Sequence, residues 1–248
     1  MPSSAFLSEQ GQRWRMEDRH VLIPDFWQSG WILGAVFDGH RGIRAADYAA
    51  AHFPDLVHTA LRSGQEGANA LVFALENLGQ DLFNEPSGST AVVFLLQEQF
   101  IAVANVGDAQ ALRIQNGQAQ ILTSCHRVDN EDERIRIQEA GGRIAGSYVM
   151  HGYSGLMPTR SLGDAEFHQV GLTFAPYVHT VFRSQEDEWL IAACDGLFDV
   201  LSAQEVAQVL HEVDDAQDGV QRLGREVLEV RQGKDNLSIV AVDLRQDG

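Results

Sequence analysis

The stretch Ile32-Leu33-Gly34-Ala35-Val36-Phe37-Asp38-Gly39-His40 decides how this chain is read. A continuous apolar run of this length describes a strand covered on both faces. It ends on a carboxylate followed at once by glycine, where a lone charge would be costly to desolvate. The pattern recurs. Leu190-Ile191-Ala192-Ala193-Cys194 leads into Asp195-Gly196-Leu197-Phe198-Asp199, Asn105-Val106-Gly107-Asp108 closes another apolar run, and Lys234-Asp235-Asn236 precedes the run from Ser238. A further acidic block, Arg13-Trp14-Arg15-Met16-Glu17-Asp18, lies near the start. Taken singly, each Asp reads as a turn or cap. Taken together, they are better explained by hard cations neutralising one shared cluster.

The chemistry follows from the residue types. Asp38 can bridge two cations, and Gly39 lets its own backbone carbonyl approach one of them. Asp195 and Asp235 bring carboxylates from separate segments. A two-metal centre suits phosphoester hydrolysis, because it activates water and stabilises both departing charges. All-oxygen ligands point to magnesium or manganese, without choosing between them, and away from zinc. Arg13 has the bidentate geometry for phosphate; a surface salt bridge with Glu17 or Asp18 is the alternative. His40, next to a proposed ligand, is the candidate general acid. His151 is held open as a second functional histidine, in the Gly-rich and therefore mobile segment Gly141 to Gly155. Cys125 and Cys194 have neither metal-ligand spacing nor a phosphate-cradling loop, so no cysteine nucleophile is expected.

Strands are expected over Gly30 to Phe37, Ser89 to Leu96, Phe100 to Asn105, Ala109 to Ile114, Val178 to Phe182, Trp189 to Cys194 and Ser238 to Leu244. Gln97-Glu98-Gln99 and Gln115-Asn116-Gly117-Gln118 read as hairpin turns. Helices are expected over Ile43 to Arg62, kinked or divided at Pro54, and over Gly67 to Phe83. Asn130 with Glu133, and Ser202 with Glu205, read as capping boxes, and Val220 to Val230 is a weaker helix. The expected architecture is α+β, a single domain over residues 1–248, with two antiparallel sheets face to face and helices outside in an α-β-β-α sandwich.

Composition narrows the function. At 44% hydrophobic the chain can build a sizeable core, and a net charge of -17 argues against nucleic acid or an anionic membrane as partner. No apolar run approaches the ~20 residues of a membrane span. Met1 to Gln12 lacks the pattern of a signal peptide. A soluble, cytoplasmic monomer is the default expectation.

The blocks, in order, make the chain resemble the protein phosphatase 2C family of metal-dependent serine/threonine phosphatases. Arg13 to Asp18, Asp38-Gly39-His40, Gly88-Ser89-Thr90-Ala91, Ala104 to Asp108, Arg160-Ser161-Leu162-Gly163-Asp164, Asp195 to Asp199 and Asp235-Asn236 carry the resemblance. It implies hydrolysis of phosphoserine and phosphothreonine proteins by a water bridging two manganese or magnesium ions. Asp38, Gly39, Asp195 and Asp235 would be the ligands, Glu17 and Asp18 would hold metal-bound waters, Arg13 the phosphate, and His40 would be the acid. Asp108, Asp195 and Asp199 would correspond to a weaker third-metal site. Four positions depart from the family's habit: Arg41 for glycine, Cys125-His126-Arg127-Val128 for Asp-His-x-Pro, Met157-Pro158-Thr159 before Arg160, and Gly233 for serine. Arg41 is either a second phosphate contact or an exposed charge. An inactive regulatory binding module and a small-molecule phosphohydrolase are the competing functions.

Overall fold

A computed structural model describes residues 2–245. Two five-stranded antiparallel sheets form its centre. One runs β1 (Ser3–Glu9), β16 (Leu237–Asp243), β15 (Asp187–Ala193), β8 (Gln110–Gln115), β9 (Gln118–Ile121). The other runs β14 (Tyr177–Phe182), β7 (Phe100–Val106), β6 (Ala91–Leu96), β3 (Ile32–Phe37), β2 (Arg19–Pro24). Helices α1 (Arg44–Arg62) and α2 (Gly67–Asp81) cover the second sheet, while α5 (Ala203–Leu210) and α6 (Ala216–Arg225) cover the first. The expected four-layer order is the one observed.

Side-chain alternation explains why central strands read as unbroken apolar runs. In β3, Leu33, Ala35 and Phe37 face α1 and α2, while Ile32 and Val36 face the opposite sheet. In β15, Trp189, Ile191 and Ala193 face α5 and α6, and Leu190 and Ala192 point inward between the sheets. Both faces are buried, so the middle of each strand is built of apolar residues. At about 25 cal/mol per Å² of apolar surface, three such interfaces dominate the folding energy.

Smaller elements sit at one end of the sandwich. β4 (Gly39–His40), β5 (Gly88–Ser89) and β13 (Leu162–Gly163) make a short sheet. Helix α3 (Glu131–Glu139) and the meander β10 (Arg143–Ala145), β11 (Tyr148–His151), β12 (Ser154–Leu156) form an insert between β9 and β13. The insert has its own small core of Val128, Ile137, Val149, Leu156, Phe167 and Leu172. Segment 141–155 is therefore a paired sheet, not the mobile loop its glycines suggested. Helix α4 (Asp195–Phe198) is a single turn after β15.

Other expectations are corrected in detail. Pro54 does not divide α1, because fully buried Phe53 and Val57 hold the helix against the sheet and outweigh a cost of about 3 kcal/mol. Ser202 and Glu205 do form a reciprocal capping box. Asn130 caps α3 through Asp132 N–H, but Glu133 turns away to buried partners. Asn116 and Gly117 both have positive φ, as a two-residue hairpin turn requires. Strands β1 and β2 were not anticipated: their burial is interrupted by exposed and partly exposed positions, so their sequences lack an apolar run.

Gly34 shows how tightly neighbouring strands of one sheet pack. It pairs with Phe94 on β6, and a Cβ at Gly34 would stand 2.2 Å from that ring. Gly34→Ala should cost about 1–3 kcal/mol in urea unfolding. In a Phe94→Leu background the loss should shrink by more than the ~0.5 kcal/mol scatter of independent sites. Equal losses in both backgrounds would mean the ring is not the obstacle.

Candidate metal centre

The strand ends deliver carboxylates to one place. Asp38 follows β3, Asp108 lies in the turn after β7, Asp195 follows β15, and Asp235 precedes β16. All four, with Arg13, Glu17, Gly39, His40, Arg41 and Asp199, line one cleft of about 580 Å³. Asp18 lies beside them and is only 2% exposed, so every residue singled out from the sequence except His151 belongs to this region. His151 sits on β11, with its ring 6.0 Å from that of Phe167 in the insert.

Two glycines let the loops close. A Cβ on Gly39 would lie 2.4 Å from the Glu17 carbonyl oxygen, and one on Gly196 would lie 2.1 Å from that of Asn236. Asn236 then fastens the loop between β1 and β2 to the turn before β16. Its Oδ1 accepts from Glu17 N at 2.9 Å, and its Nδ2 donates to the carbonyls of Gln10 at 2.7 Å and Arg15 at 3.0 Å. The sequence gave no hint of this role beyond the asparagine's place after Asp235.

The electrostatics are those of a site short of positive charge. Burial and the neighbouring Asp18, Asp195, Asp108 and Asp235 hold the Asp38 carboxyl well above the usual range. Burial, aided by Asp108, Asp199 and Asp235, pushes Asp195 up to about 7. Burial likewise pushes Asp18 up to about 6. Both Asp18 oxygens lack a hydrogen-bond partner; Ser238 and Cys194 lie near without reaching bonding geometry. A buried carboxylate with no partner is expensive, and a hydrated hard cation would satisfy it. Among the described residues no three His, Cys, Asp or Glu side chains converge on one point. That sparse set fits magnesium-like ions, which keep several waters and take one or two carboxylates, and does not fit a closed zinc site.

The positive groups are placed differently from expectation. Arg13 is not in a strand, and it pairs with Asp235 at 2.5 Å instead of Glu17 or Asp18. It remains 62% exposed at the cleft, free to exchange this partner for an anion. Arg41 has φ +61° and directs its guanidinium to Asp164 (3.3 Å) and Glu166, over the Phe167 ring. His40 Nε2 lies 2.6 Å from Oδ2 of Asp164, which is fully buried and also accepts from Ser161 Oγ at 2.7 Å. Burial alone would depress the imidazole, but the charge and hydrogen bond of Asp164 outweigh it and raise His40 above its ordinary value. Asp164 is the residue that sequence reasoning passed over; only the fold brings it to His40.

Comparison with known proteins identifies the family. The family profile of protein phosphatase 2C matches residues 3–235. Human protein phosphatase 1B is 31% identical over 270 residues, spanning 95% of this chain and 56% of the relative. The mouse protein named probable protein phosphatase 1N is 35% identical, spanning 80% of this chain and 53% of its own length. The chain thus spans little more than half of either relative. Among solved structures, a C. elegans sex determining protein superposes with a TM-score of 0.86 at 25% identity, over 98% of this chain and 65% of that one. Serine-threonine phosphatase 2C from Toxoplasma gondii superposes at 0.85 with 22% identity, over 98% and 94%. The chain belongs to the protein phosphatase 2C family.

The raised carboxyls give a stability prediction. Folding lifts Asp18 to about 6 and Asp195 to about 7 from 3.8, so the folded chain keeps protons that the unfolded chain releases. Their stabilising contribution is complete below 3.8 and is lost as pH rises towards about 7. In chelator, the melting temperature should fall across that window, and saturating magnesium or manganese should flatten the decline. Calorimetry with and without ions checks this; identical slopes would remove cations from the cluster.

Proposed function

We propose that this chain is a metal-dependent phosphatase that hydrolyses phosphoserine and phosphothreonine in proteins. The observation that supports the reading is that Asp38, Asp195 and Asp235, from three separate strand ends, line one cleft, with the unpartnered carboxylate of Asp18 next to Asp38. Asp38, the Gly39 carbonyl, Asp195 and Asp235 would hold two magnesium or manganese ions. When bound, such ions supply a strong nucleophile from water at neutral pH and offset phosphoryl charge.

The chain's own groups do the rest. Arg13 exchanges Asp235 for the phosphoryl oxygens and holds the ester in the cleft. Glu17 is set by its bond from Gly42 N at 2.9 Å, and with Asp18 it would orient water at the cluster. His40, whose charged form Asp164 favours, would donate a proton to the departing serine or threonine oxygen. The cleft mouth favours a protein over a small molecule: Trp14 is 99% exposed and Tyr148 43% exposed, offering flat apolar surface to a peptide. Intact carboxylates argue against an inactive binding module. Among the described residues no helix is long and apolar enough to cross a membrane.

Asp235→Asn should keep the fold, since Asp235 is 39% exposed. It should lower kcat/KM by more than the roughly 10–100-fold typical of changes beyond the ligand shell. Activity should vanish in chelator and return with manganese or magnesium; full turnover of the variant in excess chelator would sink the metal reading.

Leaving-group chemistry isolates His40. A serine alkoxide needs a proton to depart, whereas a nitrophenolate does not. His40→Gln should slow a phosphoserine peptide by ~10²–10⁴-fold and an aryl phosphate far less. Equal losses in kcat for the two substrates would take His40 out of the acid role.

A further inference from the structure

The cleft contains a cation of its own that the proposed reaction does not use. Arg127 Nε donates to Asp108 Oδ2 at 2.6 Å. One terminal nitrogen donates to Asp195 Oδ2 at 2.9 Å and to Asp199 Oδ2 at 3.2 Å, and the other donates to Asp199 Oδ1 at 2.9 Å. A single guanidinium thus engages carboxylates from the turn after β7 and from both ends of α4. The Arg127 side chain is only 19% exposed, so these pairs are screened less than surface ion pairs.

The backbone holds this cation in place. Arg127 pairs with Pro158 in an isolated antiparallel bridge, and its carbonyl accepts from Asn130 N at 3.0 Å. Its neighbour His126 donates N–H to the Gly107 carbonyl at 3.1 Å, one residue from Asp108. The guanidinium is therefore fixed from the insert on one side and the β7–β8 turn on the other. Next to that turn, Thr90 Oγ1 is buried without a partner; a Cβ on Gly107 would lie 2.6 Å from the Thr90 Cβ. Thr90 also lines the cleft.

We propose that Arg127 is a tethered counter-cation that closes the outer cluster of Asp108, Asp195 and Asp199 and competes there with a divalent ion. The inference rests on the metal-dependent reading of the inner centre, and adds what sets the number of ions bound. A tethered group acts at high effective concentration, and its fork takes up the carboxylate oxygens a hard cation would need. Asp195 is shared between the inner and outer groups, so the guanidinium also decides how much of that carboxylate the inner centre receives. Arg127 lies in Cys125-His126-Arg127-Val128, between the two residues, Cys125 and Val128, at which this block differs from Asp-His-x-Pro.

The test counts ions. Equilibrium dialysis against Mn²⁺, with free Mn²⁺ read by electron paramagnetic resonance, is run on the full chain as wild type, Arg127→Gln, Arg127→Lys and Arg127→Gln/Asp199→Asn. Wild type should fill its inner centre first. Arg127→Gln should take up one further ion per chain, with affinity at least roughly tenfold above the wild-type outer site. Asp199→Asn should remove that gain. Arg127→Lys keeps the charge without the fork and should give an intermediate isotherm; it carries the test if Arg127→Gln shows no folded circular dichroism spectrum. Superimposable isotherms for wild type and the folded Arg127 variants would overturn the proposal while leaving the inner centre standing. A wild type that binds no Mn²⁺ would overturn both.

Discussion

Mutual repulsion among carboxylates at one end of a close-packed sandwich is the constraint on which this structure turns. The strands that carry Asp38, Asp195 and Asp235 cannot diverge, because Leu33, Val36, Leu190, Ala192 and Val240 are buried between layers with no exposed surface. The core thus forces like charges together. Hydrophobic burial, worth about 25 cal/mol per Å², supplies the energy that holds them. The chain answers with Arg13, Arg127 and space for hard cations, and each of the site's properties follows from how that charge is shared.

The insert of α3 and β10–β12 belongs to the same charge economy. Burial would raise the Glu133 carboxyl, but hydrogen bonds from Arg160 and Thr159, with the charge of Arg136, hold it down at about 2. Thr159 Oγ1 donates to Glu133 at 2.7 Å, and Arg160 Nε at 3.0 Å. Glu133 thereby fastens the insert to the strand that leads to Asp164, the partner of His40. Losing one partner would leave a buried charge uncompensated, which is why such a network is costly to interrupt.

Arg41 shows the same logic in a smaller compass. A non-glycine residue at φ +61° costs of order 1 kcal/mol. Its guanidinium offsets that strain through Asp164 and Glu166, and by lying 5.3 Å from the Phe167 ring centroid. The cation that looked from the sequence like a phosphate contact is committed to the insert side of the cleft.

Much was written in the sequence itself. Unbroken apolar runs leading into Asp-Gly marked β3 and β15, because the middle of a strand buried on both faces is built of apolar side chains. The same runs announced the carboxylates, since charge beside such strands demands a reason. Edge strands β1 and β2 were illegible, because solvent interrupts their burial and erases the apolar pattern. The Gly-rich segment 141–155 read as a loop, because its strands are short and its order comes from packing on Phe167 and Ile137. Only the tertiary structure could pair His40 with Asp164, staple Asn236 to the loop between β1 and β2, or aim Arg127 at three carboxylates. Local sequence dictates which residues are buried and where chains turn. Partners 19 to 226 positions apart are chosen by the way the layers close, and no local pattern encodes that choice.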